Sequence, residues 1–276
     1  MFKRSLILLC LFLTLSSPAW GGGLLIGSGV QADTAPTNFL LDSRCMSAYF
    51  MNSDGSTGET DQKDGDDSLT VSSEDTIDRE ADVYSGFSGY SRRFTFADTD
   101  YLTGASTGDN SIYGSNARIT IVAKIKVAST SSGVSQSVVS KYNATAATRS
   151  YLIEIKGGTS NTFQIAMYLS ADGGSTNKVS GVTTNYFNPN TWYSIALVYD
   201  DIDVKIYVNG VLEGTYAYTM GLYNSSAAFM IGYNSGNTGT YSGWIDEVGV
   251  FNSDLSADEI LSIHTNGLDG SKGAND

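Results

Sequence analysis

The chain has 276 residues, and its 16 Lys and Arg against 29 Asp and Glu give a formal net charge of −13 at pH 7. A chain this acidic repels nucleic acid and anionic membrane surfaces, so neither is expected as a partner. The two cysteines, Cys10 and Cys45, exclude a Cys-rich zinc site and a CxxC redox site.

The N-terminal residues predict export. Lys3 and Arg4 precede the apolar run Leu6–Leu15, and small residues around Gly21 offer a cleavage position. This order is typical of a secretory signal peptide over residues 1–21. An uncleaved anchor is the less favoured alternative, because the run is too short to span a bilayer comfortably. We therefore expect a secreted, periplasmic or cell-surface protein with no membrane span after signal removal.

The mature chain predicts one domain with an irregular segment at each end. Residues 22–44 indicate a linker or N-terminal arm, residues 45–268 the domain, and residues 269–276 a polar tail. Candidate strands recur at short intervals with Gly, Asn and Ser turns between them. In chain order they are Met46–Met51, Ser68–Val71, Tyr90–Phe96, Tyr101–Leu102, Arg118–Val127, Gln136–Lys141, Tyr151–Lys156, Phe163–Leu169, Lys178–Thr183, Trp192–Tyr199, Val204–Val208, Ala227–Tyr233 and Gly243–Phe251.

Two local patterns are especially informative. Trp192–Tyr199 is apolar on both faces, as a strand between two packed layers must be. Val204–Val208 alternates, and Asn209-Gly210 after it predicts a type I′ turn. A capping box that begins at Ser256 predicts one short C-terminal helix. Together these patterns favour an all-β sandwich or barrel.

Five blocks of sequence carry a family resemblance. They are YSRRFTFADTDYL from Tyr90, ITIVAKIKV from Ile119, SVVSKY from Ser137, the hairpin over residues 191–211, and GWIDEVGVFNSDLS from Gly243. In this order they resemble the LamG-like, concanavalin A-like lectin–glucanase jellyroll family, to which laminin G and pentraxin domains are related. The resemblance covers about Cys45–Gly267 and implies a two-sheet antiparallel jellyroll sandwich with one short C-terminal helix.

Hydrolysis is the least favoured chemistry. A retaining glycosidase needs two carboxylates about 5 Å apart. Glu154 has no second acid two residues away, and the neighbours Asp246 and Glu247 point to opposite faces of a strand. His264 is the only histidine and lies in the predicted helix, where it complements the helix dipole rather than a catalytic triad. We therefore do not expect an enzyme.

A calcium ion is the expected cofactor. Relatives often tie their first and last strands together through an ion bound by Asp, and Ca²⁺ prefers six to eight oxygen ligands. Carried over by the resemblance, Asp61 and Asp246 are the expected ligands, with Asp64 and Asp67 as further candidates. A solvated acidic loop without metal explains the same residues equally well.

Carbohydrate binding is the expected function. Tyrosine rings stack on pyranose faces while Asn and Asp side chains bind hydroxyl groups. The candidates are Tyr186, Tyr216, Tyr218, Tyr223, Tyr233, Asn234, Asn237 and Tyr241, although each tyrosine alone could simply cover a sheet. We expect a secreted, non-catalytic module that recognises extracellular glycan with a structural calcium ion. A structural or adhesive protein that binds other surface proteins is the alternative.

Overall fold

The fold is taken from a computed structural model. It describes residues 37–53, 56–71, 77–84, 86–95, 99–236 and 239–272. The expected signal peptide over residues 1–21 and the candidate Asn237 therefore lie outside the described residues. The strands are β1 Cys45–Tyr49, β2 Thr70–Val71, β3 Asp78–Glu80, β4 Ser91–Phe94, β5 Leu102–Thr103, β6 Ile119–Val127, β7 Ser135–Asn143, β8 Thr148–Gly157, β9 Phe163–Gly173, β10 Lys178–Val182, β11 Trp192–Tyr199, β12 Asp203–Val208, β13 Val211–Ala217, β14 Met230–Ile231 and β15 Gly243–Phe251.

These strands form two antiparallel sheets. The eight-stranded sheet has the order β13-β12-β11-β6-β15-β4-β3, and β1 also pairs with β15. The seven-stranded sheet has the order β10-β9-β8-β7-β14-β5-β2. The chain crosses between the sheets several times, so the observed architecture confirms the expected two-sheet antiparallel sandwich.

The main core lies between the sheets because each strand alternates apolar and outward-facing residues. In β11, Ile195 and Leu197 join this core, while Ala196 and Val198 join a second apolar cluster on the other side of the eight-stranded sheet. The prediction that this strand is packed on both faces is therefore confirmed. Full burial of one such side chain contributes about 1.5–3 kcal/mol.

The second cluster explains how the two ends of the domain pack. Helix α1, Ala257–Asn266, contributes Ile260 and Ile263, and its capping box is present as predicted. Phe39, in the short 3-10 helix Phe39–Leu41, is buried in the same cluster with its ring 6.2 Å from that of Phe251. The described part of the expected arm thus packs onto the domain, because it supplies this apolar side chain.

Three differences from the predicted strands concern the edge strands β3 and β13 and the very short inner strand β14. Asn209 and Gly210 have φ values of 52° and 77°, which fits the predicted turn, but the turn leads into an unpredicted strand, β13. β3 was likewise not predicted, and the candidate Ala227–Tyr233 shortens to the two residues of β14. Short or exposed edge strands carry a weak hydrophobic pattern, which is why the sequence did not reveal them. No helix among the described residues is long and apolar enough to cross a membrane.

Candidate functional site

The outer face of the seven-stranded sheet is the candidate site. The core side of β8 carries Tyr151, Ile153 and Ile155, so the residues between them point outward. The single described helix packs against β11 and β13 of the other sheet and leaves this face uncovered by a helix. We call the site the β7–β10 face and define it by Tyr142, Arg149, Glu154, Lys156, Tyr168 and Lys178.

Hydrogen bonds fix the centre of the β7–β10 face. The Tyr168 hydroxyl donates to Glu154 Oε1 at 3.0 Å, and the Ser135 hydroxyl donates to the same oxygen at 3.0 Å. The Tyr142 and Tyr168 rings lie 6.2 Å apart. Glu154 is nearly fully buried, whereas Tyr168 remains partly exposed. The carboxylate therefore orients a tyrosine ring whose face remains accessible.

Burial and neighbouring charges shift the pKa values of Glu154 and Tyr168. Burial raises the pKa of Glu154, while the hydrogen bonds from Tyr168 and Ser135 and the charges of Lys156 and Lys178 oppose that rise. Burial, with the nearby Glu154 carboxylate, raises the pKa of Tyr168 above its usual value. Tyr168 therefore stays a neutral hydrogen-bond donor at physiological pH.

Polar groups extend from the face towards β14. Ser137 lies opposite Glu154 in the β7–β8 register, and the Asn234 Nδ2 donates to Ser137 Oγ at 2.6 Å. Asn234 is 1% exposed, and its Oδ1 has no hydrogen-bond partner among the described residues. Beside it, the Tyr233 ring stacks on that of Tyr101 with centroids 5.0 Å apart. Asn234 thus lies beneath the surface, and Tyr101 and Tyr233, which are partly exposed, are the groups that a ligand could reach here.

A shallow depression of about 150 Å³ lies at the β9–β10 end of the face. Lys156, Tyr168, Gly181 and Tyr216 contribute to its lining. A larger cavity, about 350 Å³, lies elsewhere, between the segments around Leu40, Phe50 and Asp269. Its one aromatic side chain, Phe50, is buried, so that cavity offers no ring face for stacking.

Comparison with known proteins identifies the family of this fold. The sequence profile Laminin_G_3, described as the concanavalin A-like lectin/glucanases superfamily, matches residues 97–261. The chain belongs to this superfamily. No curated protein sequence matches the chain significantly.

Solved structures share this concanavalin A-like fold at low sequence identity. The binding domain of Paraclostridial Mosquitocidal Protein 1 is 11% identical, with a TM-score of 0.63, over 80% of this chain and 52% of that one. Domain 4 of AbnA, a GH43 extracellular arabinanase from Geobacillus stearothermophilus, solved with arabinotriose, is 16% identical, with a TM-score of 0.59, over 80% of this chain and 98% of that one. The binding domain of botulinum neurotoxin DC, solved with rat synaptotagmin II, is 12% identical, with a TM-score of 0.57, over 80% of this chain and 51% of that one. The chain thus spans about half the length of the toxin binding domains.

The tyrosines predicted from the sequence are scattered over this concanavalin A-like domain. Tyr241 is fully buried in the core and Tyr218 is nearly so, which corrects their assignment to a ligand surface. Tyr216 bridges the sheet edges, because its hydroxyl accepts from the Val182 amide at 3.0 Å. Tyr223 packs over Gly173, and Tyr186 is 59% exposed beside Gly158. Of the predicted set, Tyr233 and Asn234 adjoin the β7–β10 face, and Tyr216 lines its depression.

The four predicted calcium ligands are not gathered into one cluster. Within the described ranges, no group of three or more His, Cys, Asp or Glu side chains is placed to hold a metal ion. Asp64 accepts the Asp66 amide, Asp67 accepts the Asn110 amide, and Asp246 accepts the Glu247 amide within β15. Each of these three carboxylates accepts a backbone amide, and the expected joint calcium site stays a prediction.

Asp61 is the one of the four with a buried carboxylate oxygen that accepts no hydrogen bond among the described residues. Its Oδ1 accepts the amides of Ala48 and Lys63, both at 2.9 Å, while its buried Oδ2 has no hydrogen-bond partner among the described residues. Burial, reinforced by the charges of Asp64 and Asp67, raises the pKa of Asp61 to about 6. A carboxylate in this state fits either a proton or a bound cation.

Sequence reasoning missed the residues at the centre of the site. Glu154 was considered only as half of a catalytic pair, and Tyr142 and Tyr168 were not considered as ligand-binding residues. The sequence could have indicated them, because YLIEIK and FQIAMYL both alternate. The alternation places Glu154 and Tyr168 on the side of their strands opposite to the apolar residues.

Proposed function

We propose that this domain is a non-catalytic carbohydrate-binding module and that the β7–β10 face is its binding surface. One observation carries the proposal: Tyr168 is partly exposed on a sheet face that α1 does not cover, while its hydroxyl donates to Glu154 at 3.0 Å. A ring fixed in this way offers a flat apolar surface with little entropy left to lose on stacking. Ser135, which is partly exposed, places a hydroxyl beside it for a sugar hydroxyl.

The comparisons support this proposal through what similar folds bind. The AbnA domain was solved with arabinotriose, and another matched structure concerns the interaction of botulinum neurotoxin type C with two ganglioside molecules. Both similarities are below 25% identity, so the choice of ligand depends on the residues of this chain rather than on the relatives. Export, suggested by the N-terminal sequence, would place the domain where extracellular glycans occur.

The proposal is tested by binding to a glycan array followed by calorimetry on each positive glycan. Tyr168→Ala removes the stacking ring, and a loss of about 1–3 kcal/mol in binding free energy is expected for one stacked aromatic. Tyr113→Ala is the matched control, because Tyr113 is 55% exposed and lies outside the face. Unchanged glycan binding in Tyr168→Ala would overturn the assignment of the face.

The same assay separates the alternatives. Loss of binding in Tyr186→Ala but not in Tyr168→Ala would move the site to the exposed loop before β11. Release of reducing sugar from a bound polysaccharide would favour a hydrolase. A retaining hydrolase needs two carboxylates, and Glu154 is the single one among the six residues that define the β7–β10 face. Asp172, at the end of β9, accepts hydrogen bonds from the amides of Gly174 and Asn177.

We further propose that calcium, if it contributes, binds through Asp61 alone among the four expected carboxylates. Its buried and unpartnered Oδ2 supports this assignment, and backbone carbonyl oxygens would complete the ligand set that Ca²⁺ requires. The ion would stabilise the loop after β1. A higher unfolding temperature in Ca²⁺ than in chelator is expected, with no difference in Asp61→Asn and an unchanged difference in Asp64→Asn. An equal difference in Asp61→Asn would exclude this ligand.

Protein binding is the second candidate, and an exposed apolar patch favours it. Val211 is 60% exposed, and Leu212 and Leu261 are each 49% exposed. Leu261 of α1 lies against Gly210, and Leu212 is paired with Tyr207 of the apolar cluster beneath α1, so Leu212 and Leu261 share the side where the β12–β13 hairpin meets the helix. Such a patch is typical of a protein interaction surface. Retained attachment to a protein partner without binding to any glycan, lost in Leu261→Ser, would favour this adhesive function.

A further inference from the structure

Among the described residues, the three cations of the β7–β10 face form no salt bridge, whereas seven of the other eleven Lys and Arg residues do. Seven Lys and Arg residues form salt bridges with Asp or Glu; they are Arg44, Arg92, Arg93, Arg118, Lys124, Lys126 and Lys205. Arg149, Lys156 and Lys178 form none within the part of the chain that the structure describes. In a chain of net charge −13, three such cations on one face make a local positive region.

These cations lie beside the aromatic rings. Lys178 Nζ is 5.3 Å from the centroid of the Tyr168 ring, and the Arg149 guanidinium carbon is 5.7 Å from that of Tyr142. Lys156 is exposed and lines the same depression as Tyr168. A sugar stacked on Tyr168 would therefore have an ammonium group near its ring substituents.

The carboxylate at the centre does not cancel this field. Glu154 is 4% exposed and its Oε1 accepts two hydrogen bonds, so it lies beneath the surface that a ligand would touch. Lys156 is exposed and Lys178 is partly exposed. Arg149 is held in place by the carbonyl oxygens of Ala144 and Gly173, at 2.8 and 3.1 Å. Asp172, exposed on the same side of β9, accepts the amides of Gly174 and Asn177, so three cations stand against the two carboxylates Glu154 and Asp172. The charge of the face is therefore positive, although the protein as a whole is acidic.

We propose that the glycan bound at the β7–β10 face is acidic, with carboxylate groups of the uronic acid type that Lys156 and Lys178 bind. The inference depends on the proposed carbohydrate-binding function and adds its ligand class. A neutral sugar would use Tyr168 and the polar groups but would leave both ammonium groups without partners. An acidic sugar supplies those partners, and a lysine recognises a carboxylate as a compact point charge.

The test compares polyuronic acids with their own neutral forms. Polygalacturonate, alginate and hyaluronate are each titrated into the full chain by calorimetry, beside the same polymer after methyl esterification of its carboxyl groups. The acidic form of at least one polymer is expected to bind about tenfold more tightly than its ester, which corresponds to about 1.4 kcal/mol. Raising NaCl from about 0.05 M to about 0.5 M should weaken that binding, because exposed charges are screened.

Variants separate this inference from the proposed function. Lys156→Gln/Lys178→Gln is expected to lower affinity for the acidic form to that for the ester, with an unchanged unfolding temperature. Lys205→Gln, on the other sheet and paired with Asp200, is the matched control and should bind as the parent does. Equal binding of acid and ester, or a double variant with full affinity, overturns the acidic ligand and leaves carbohydrate binding intact. Equal binding of dextran sulfate also overturns it, because the attraction would then be nonspecific. Failure of the folded parent to bind any glycan overturns both.

Discussion

The buried ion pair between Arg92 and Glu59 gives the sharpest prediction about stability. Arg92 lies in β4, and the exposed fractions of the two side chains are 0% and 3%. The guanidinium donates from Nε to Glu59 Oε1 and from Nη2 to the Thr57 carbonyl. The second oxygen of Glu59 accepts the Ser53 amide and hydroxyl at 3.3 and 3.0 Å. The pair thus joins the loop after β1 to the eight-stranded sheet.

Glu59→Gln keeps the size of the side chain and removes its charge. Breaking a buried pair by removing one partner costs about 3–5 kcal/mol, because the remaining charge stays in a poorly solvated site. For a domain of this size, about 3 kcal/mol lowers the unfolding temperature by about 6–12 °C. Replacing both charges, as in Arg92→Met/Glu59→Leu, should recover most of the loss, since no buried charge then remains.

Urea unfolding followed by tryptophan fluorescence measures these free energies, and a double-mutant cycle gives the coupling between the two residues. Asp254→Asn is the matched control, because its pair with Arg118 is largely exposed, and we expect no change in the midpoint. A loss below about 1 kcal/mol in Glu59→Gln, the value of a surface pair, would refute this reasoning. So would a double variant that is no more stable than the single one.

Two further predictions concern burial and close packing. Burial raises the pKa of Asp61 to about 6, so the ionised form is disfavoured in the folded state and stability falls as pH rises through that value. In chelator, lowering pH from about 7.5 to about 5.5 should stabilise the parent by about 1 kcal/mol more than Asp61→Asn in urea titrations, and an equal response would contradict the burial argument. Gly181→Ala would place a Cβ 2.4 Å from the Tyr216 ring. We expect a cost of about 1–3 kcal/mol in unfolding free energy, and no measurable cost would contradict the close contact.

The fold was largely predictable because strands buried on one or both faces leave strong patterns. The bounds of β11 and β15 agree with the predicted Trp192–Tyr199 and Gly243–Phe251. β13 was not predicted, because its residues are exposed or half-buried and Gly214 interrupts the run. A strand at a sheet edge is specified mainly by hydrogen bonds to its neighbour, which composition does not reveal.

The site was less predictable, because alternation separates two faces without saying which one is inside. Lys141 illustrates this limit. It points into the core, where its Nζ donates to the carbonyl oxygens of Ser106 and Ala227 at 2.6 and 2.9 Å, and burial lowers its pKa to about 8. Glu154 on the neighbouring strand points outward instead. The register between β7 and β8 determines which residues are neighbours across the two strands. It includes two irregularities that the local sequence does not predict.

The position of β15 has a consequence for the order in which the molecule can form. This strand pairs with β6 on one side and with β4 and β1 on the other. Without residues 243–251, β6 is therefore not connected by hydrogen bonds to β4 and β1 in the eight-stranded sheet. A chain still emerging from the ribosome, or still threading through a translocation pore, would hold three strands with unpaired edges. Such edges are ready to pair with other chains. The sheet therefore stays incomplete until β15 is added, and truncation before β15 should give an aggregation-prone chain rather than a smaller domain.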